Sequence, residues 1–278
     1  MLVNDIGDNE FYLFRDIIYR EAGIKLSDLK KSLLQARLSR RCRFLAIPTF
    51  NDYYNFLMEN YDEEKIHFIN AITTNKTEFF RENRHFEHMR DIFLPEFESR
   101  NTREIRIWSA GCSTGEEPYS VAITLMEYYE NRKKPVIKIL ATDIDTNVLQ
   151  TAAEGIYKKD VVENIDMPVL KKYFLRGKGE NGGLFRVRDD LKKMIYFRRL
   201  NLMQEHYPMK DPFDIIFCRN VIIYFDKETQ VNVFKRFHRY LDDRGCLFIG
   251  HSENITTITD DFVLTGNTIY AKAGGGKR

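Results

Sequence analysis

The sequence has no CxxC pair and no Cys/His cluster. No uninterrupted apolar run approaches the roughly 18 residues that a membrane-spanning helix needs. Its cysteines, Cys42, Cys112, Cys218 and Cys246, lie far apart. That spacing argues against a disulfide framework or a zinc site and fits reduced thiols in a cytoplasmic protein. A large charge of one sign is also missing: the net charge is +2, so attraction to an anionic partner has to come from local clustering. The first twenty residues carry acids and no apolar run, so they do not read as a signal peptide. Of six histidines, only His85 and His88 stand close together; both are expected on a helix surface, and no metal is expected. What is present is ordinary for a globular chain: 278 residues, 43% hydrophobic and 30% charged. That is enough to bury a core without staples, in one large domain or a medium domain plus a smaller one.

The grammar changes along the chain. Residues 1–75 read as a small all-α domain, because apolar positions recur three and four apart, as in Phe11, Phe14 and Ile18 and again in Leu34, Leu38, Cys42 and Leu45. Residues 76–102 read as a linking segment. From 103 to the end, short apolar runs (105–110, 137–143, 194–201, 213–218, 246–250) alternate with helical segments at 117–131, 146–153 and 228–241. Such alternation predicts a mostly parallel sheet covered on both faces. DFVLTGNTIYAKA, with its Gly-Asn turn, predicts a closing antiparallel hairpin. By analogy, that combination is the class I methyltransferase (Rossmann-like) α/β fold. Residues 157–193 are too long for one crossover helix and predict a small β insertion. The final GGGKR is expected to be disordered.

Four segments could carry chemistry. In IWSAGCSTGEEPYS, a loop with Gly111 and Gly115 leads into a helix, either as a ligand cradle or as a tight turn with a Thr114–Glu117 capping box. It lacks GKS or GKT, and Glu116 and Glu117 would repel phosphates. Acids here suit a cationic ligand such as S-adenosylmethionine, which has a sulfonium and an ammonium group. In ATDIDTNVL, Asp143 ends a strand where ribose hydroxyls are commonly bound, and Asp145 is placed to cap the next helix. In RRLNLM, Asn201 and Leu202 could pair with and cover an adenine, although Asn at a strand end is also a common turn residue. In FDIIFCRNVIIYFD, Arg219, Asn220 and Tyr224 fall at the carboxyl edge of a strand, where open α/β sheets bind ligands. The bland alternative is packing for Tyr224 and solvation for Arg219. An Asn/Asp-Pro-Pro-Tyr/Phe sequence, frequent here in amine and nucleobase methyltransferases, is absent.

Together with TTNKTEFFRE and GHSEN, these segments match in order and spacing the chemotaxis receptor methyltransferases (CheR-type), which the chain resembles over nearly its whole length. The resemblance implies cofactor contacts from Asn75, Thr77 and Arg81, and from Glu117, Asp143, Asn201, Leu202, Arg219 and Asn220. Arg81 would pair with the methionyl carboxylate near the reacting centre and Tyr224 would sit near the sulfonium; without the resemblance, Arg81 would read as a surface ion pair with Glu78 or Glu82. The implied activity is methyl transfer to glutamate side chains of chemoreceptors, giving methyl esters and S-adenosylhomocysteine. A glutamate has a reference pKa of about 4.3 and is already ionised at neutral pH. Transfer therefore needs positioning and desolvation rather than a general base.

Residues 29–51 hold Lys30, Lys31, Arg37, Arg40, Arg41 and Arg43 and no acid. A solvated face is the default for such a stripe and nucleic acid an alternative. With the resemblance, the glutamate-bearing helical region of a receptor is preferred, with Arg37, Arg40 and Arg41 as contacts and no nucleic-acid partner. In the insertion, LFRV reads as an edge strand beside a glycine-rich loop. Arg186 and Arg188 on one face could hold the terminal carboxylate of a receptor tail. The plain alternative is a flexible hairpin with two solvated arginines. A monomer without membrane insertion is expected.

Overall fold

The computed structural model describes residues 4–100 and 102–274; Gly275–Arg278 of the terminal GGGKR lie outside them. Four helices come first: α1 (Asp8–Ala22), α2 (Lys31–Phe44), α3 (Phe50–Glu59) and α4 (Tyr61–Ile72). Their apolar stripes close on one another, with Phe14, Tyr53 and Phe68 at the centre, all 0% exposed. Burial of such a face, rather than intrinsic propensity, is what holds short helices in place. Local signals set some ends: Thr49 accepts from the Asp52 N–H to cap α3, and Gly23 takes φ 69 to terminate α1.

A connecting stretch follows, with α5 (Arg84–His88), a π-helical turn (Met89–Phe93) and α6 (Leu94–Ser99). The rest builds on β1 (Glu104–Ala110), α7 (Glu116–Tyr128), β2 (Val136–Asp143) and α8 (Thr146–Glu154). Then come the elements of the insertion: β3 (Ile156–Lys158), α9 (Lys159–Val162), α10 (Met167–Tyr173), β4 (Phe174–Arg176), β5 (Leu184–Val187) and α11 (Asp189–Lys192). The chain returns through β6 (Ile195–Arg199), β7 (Phe213–Cys218), α12 (Lys227–Tyr240), β8 (Leu241–Ile249), β9 (Phe262–Gly266) and β10 (Ile269–Lys272).

The main sheet has the order β6-β2-β1-β7-β8-β10-β9. Its first five strands are parallel and the β9–β10 hairpin is antiparallel. Both faces are buried, so strand residues alternate between two cores instead of between core and water. Ile105 and Ile107 of β1 enter one core, while Trp108 and Ala110 enter the other. The fold is the expected α/β class I methyltransferase architecture. β2 and β7 flank β1, so the strand order reverses at β1 and opens a crevice at the carboxyl ends of the strands.

The insertion forms a second antiparallel sheet of order β3-β5-β4. Here one expectation is corrected: LFRV is β5, the central strand, and β3 and β4 are the outer ones. Arg188 lies beyond the strand and Arg186 pairs with Asp189 at 2.9 Å, so the two arginines do not form a matched pair on one strand face.

Candidate active site

A cavity lies at the strand carboxyl ends and takes its walls from both halves of the chain, including Ile24, Leu33 and Arg37 from the helical part. The β1–α7 loop is its base. Gly111 has φ +83, and a Cβ there would come 2.4 Å from Val221. Only glycine meets both conditions, so the backbone can run close under the cavity. Gly111 and Cys112 donate to the Thr142 carbonyl, at 2.8 and 2.9 Å, which ties the loop to β2. Gly115, not Thr114, is the residue before α7, and Thr114 bonds to Glu116 at 2.7 Å. The alternative reading, a Thr114–Glu117 capping box, is not formed.

Freed from capping, the Glu117 carboxylate faces the cavity, where it accepts from the Ser109 hydroxyl at 2.6 Å and pairs with Arg219 at 3.4 Å. Burial pushes the Glu117 carboxyl up and Arg219 pulls it down, with a net rise. Asp143 is 9% exposed and opens on the same cavity. One oxygen accepts from the Ser113 N–H at 2.9 Å and the other from the Asp145 N–H at 3.0 Å. Each oxygen keeps a lone pair for a further donor. Burial raises the Asp143 carboxyl against those two N–H groups. Asp145 caps α8, as expected, accepting from the Asn147 and Val148 N–H groups.

The segment after α4 closes one side. Asn75 donates to Asp145 at 2.8 Å, its carbonyl accepts from the Ser113 hydroxyl at 3.0 Å, and Thr77 lines the cavity nearby. Arg81 also lines it, donating to the Lys76 carbonyl at 2.9 Å and forming no ion pair among the described residues. Glu82, its alternative partner, turns instead to Arg219 at 3.3 Å. Arg219 is 6% exposed, reaches the Arg81 carbonyl as well, and has an Nη1 without a hydrogen-bond partner. Arg219 therefore holds Glu82, Glu117 and the Arg81 backbone together, and the Arg81 side chain stays at the cavity wall.

Leu202 and Asn201 form the wall beyond β6. The Asn201 side chain is already committed, donating to the Glu21 carbonyl at 2.6 Å and accepting from the Met203 N–H at 2.9 Å. These bonds fix the amide at the cavity wall and leave it one N–H and one lone pair for a further partner. Asn220 sits at φ 58 and Tyr224 at the mouth; both line the cavity. The Tyr224 carbonyl accepts from the Lys25 N–H at 2.9 Å.

Three further expectations change. Arg41 faces inward, held by Glu64 at 2.8 and 2.5 Å, and Glu64 also accepts from Tyr53. The Arg41 side chain is 15% exposed, so it belongs to the packing of α2 on α4 rather than to a contact face. Arg37 is half-buried, binding the Ile72 carbonyl and the Thr74 hydroxyl at the cavity wall; Arg40 remains exposed. His85 is fully buried, not on a helix surface, and burial lowers its imidazole to about 4. Glu82, His85 and His251 bring ligand-type atoms within 4.8 Å of one another. Arg219 already supplies the positive charge beside Glu82, which also accepts from the His251 N–H at 3.2 Å. The sequence assigned no role to Ser113 or Glu253, and to Glu82 only a surface ion pair with Arg81. Their roles depend on contacts distant in sequence that no local spacing announces.

The donor set fits S-adenosylmethionine. A buried carboxylate with spare lone pairs (Asp143) suits ribose hydroxyls. A second acid (Glu117) suits a cation, and an arginine without a carboxylate (Arg81) suits an amino-acid carboxylate. Family profiles agree: one described as the all-alpha domain of CheR methyltransferase matches residues 9–73, and one described as its SAM binding domain matches residues 75–271. The chain is 43% identical over 267 residues to a chemotaxis protein methyltransferase of Escherichia coli, covering 96% of this chain and 91% of that one. It is 42% identical over 264 residues to chemotaxis protein methyltransferase 2 of Pseudomonas aeruginosa, covering 95% and 93%. A Borreliella burgdorferi chemotaxis protein methyltransferase is 44% identical over 257 residues, covering 90% of each.

Proposed function

Because the chain belongs to the CheR methyltransferase family, we propose that the acceptor of its S-adenosylmethionine-dependent methylation is a glutamate side chain of a chemoreceptor, converted to its methyl ester. The observation that carries this reading is the charge at the cavity mouth. Exposed Lys25, Lys30 and Lys76 and half-buried Arg37 line it, against one exposed acid, Glu78. A carboxylate is drawn to such a mouth, whereas an amine is repelled. The missing Asn/Asp-Pro-Pro-Tyr/Phe sequence after β7 points the same way.

The cofactor supplies an electrophilic methyl group on a sulfonium. The protein's own residues bind and orient. Asp143 would take the ribose and Arg81 the methionyl carboxylate, while Glu117 favours positive charge. Thr77, Leu202 and the Asn220 backbone shape the walls. Arg37 and Tyr224 stand where the incoming carboxylate would lose its water, an arrangement that supplies position and desolvation. No proton has to move, which suits a cavity whose acids are held by N–H groups and Arg219 rather than paired with a base.

On this reading the helical domain meets the receptor through the exposed side of α2, with Arg40 among its contacts. The small sheet would offer an outer strand, β3 or β4, to an extended receptor tail by strand addition. Protein labelled from isotopic S-adenosylmethionine in the presence of receptor should release volatile methanol in mild alkali. Label that survives alkali would mean N-methylation and end the proposal.

A further inference from the structure

We infer that Glu253 is a positioning residue: its buried carboxylate sets the shape of the segment after β7 that carries Arg219, Asn220 and Tyr224. Glu253 is 5% exposed and lies in the turn after β8. One oxygen accepts from the Asn220 N–H and the Gly250 N–H, both at 2.8 Å, and the other from the Ile223 N–H at 3.2 Å. Its partners are backbone donors rather than a cation. They converge from the ends of two neighbouring strands, β7 and β8.

A carboxylate can serve several donors at once, and charged acceptors make the stronger bonds. Burial raises the Glu253 carboxyl and the surrounding N–H groups lower it. The consequence falls on Asn220, whose φ of 58 is uncommon for a residue with a side chain. Such a conformation persists where its surroundings over-determine it. Here Glu253 holds the Asn220 N–H while Gly250 leaves room on the other side: a Cβ at Gly250 would lie 2.6 Å from Asn220 Nδ2 and 2.8 Å from Glu253 Oε2. The same segment turns one residue further on into the Val221 side chain that covers Gly111. Glu253 thus reaches the cavity without facing it.

The inference rests on the cavity being the cofactor site and not on the identity of the acceptor, so it is tested on cofactor binding. In Glu253→Gln an amide presents its own donors to three N–H groups and cannot satisfy them all. The variant should keep its melting temperature within about 5 °C while S-adenosylhomocysteine binds at least roughly tenfold more weakly by calorimetry. Glu253→Asp should recover part of that affinity. If Glu253→Gln does not fold, Gly250→Ala decides, because it crowds the same carboxylate while keeping its charge; the same loss of affinity is expected. Unchanged affinity in a folded Glu253→Gln, or in Gly250→Ala, would overturn the inference. Failure of receptor methyl ester to form would leave this result standing and fall on the acceptor proposal alone.

Discussion

Asp143 serves two neighbours at once, the Ser113 and Asp145 N–H groups, and keeps lone pairs toward the cavity. Asp143→Ala should remove two charge-assisted hydrogen bonds to the ribose, each worth about 1.5–3 kcal/mol. Product binding should weaken at least roughly tenfold with the fold intact; unchanged affinity in calorimetry would discard the role. His85 gives a prediction of another kind. Burial depresses its pKa from 6.5 to about 4 in the folded protein. The folded state thus binds fewer protons than the unfolded one, and stability rises with pH across that window. The contribution is complete above about pH 6.5 and is lost as pH falls toward 4, on the order of 3 kcal/mol in all. Denaturant midpoints should fall over this range, and His85→Phe, which keeps a ring against Phe248, should flatten the slope. An identical slope in that variant would assign the acid sensitivity elsewhere.

At the scale of elements, α2 separates what a basic stripe looks like from what it does. Arg41 and Glu64 are 15% and 4% exposed in their side chains. Arg41→Ala therefore leaves a buried carboxylate without its cation and should cost about 3–5 kcal/mol of stability in denaturant unfolding. A loss under about 1 kcal/mol would mark a surface pair instead. Arg40→Glu should leave stability and product binding alone but slow receptor methylation, more so at low salt; a wild-type rate would reduce Arg40 to a solvated residue. The sequence made the strands legible because β-branched runs bounded by turns have few other uses. The Gly111 turn and the Asp145 cap were legible because each depends on the strand end beside it. Arg41 was not, since helical periodicity gives a face but not the partner helix opposite it, and Glu64 lies 23 residues away. What holds Asn201 in place was hidden for the same reason: its partner, the Glu21 carbonyl, is 180 residues distant. β5 read as an edge strand because strand order in a small sheet depends on which flanking run pairs on each side.

The two halves of the molecule meet across the cavity, which neither would close alone. Tyr19 on α1 donates to Asp226 at 2.5 Å, Lys25 pairs with the Tyr224 carbonyl, and Asn70 reaches Thr146 at 2.8 Å. A helical part that recognises the receptor would thereby stand against the segment that bears Asn220 and Tyr224, bringing acceptor and cofactor into one enclosure. The small sheet of β3, β5 and β4 is the element proposed above to dock a receptor tail. Peptides copied from receptor C-termini should bind it, and less tightly when amidated or when Arg188 becomes Ala; no binding by any tail would remove that element from the account. The central claim concerns the acceptor atom. The most direct test is to incubate the protein with S-adenosylmethionine and a soluble receptor helical fragment, then locate the added methyl by fragmentation mass spectrometry. The account predicts methyl on glutamate carboxyl oxygens, and none at those positions when they are glutamine. Methyl found on lysine, arginine or a backbone nitrogen would contradict it.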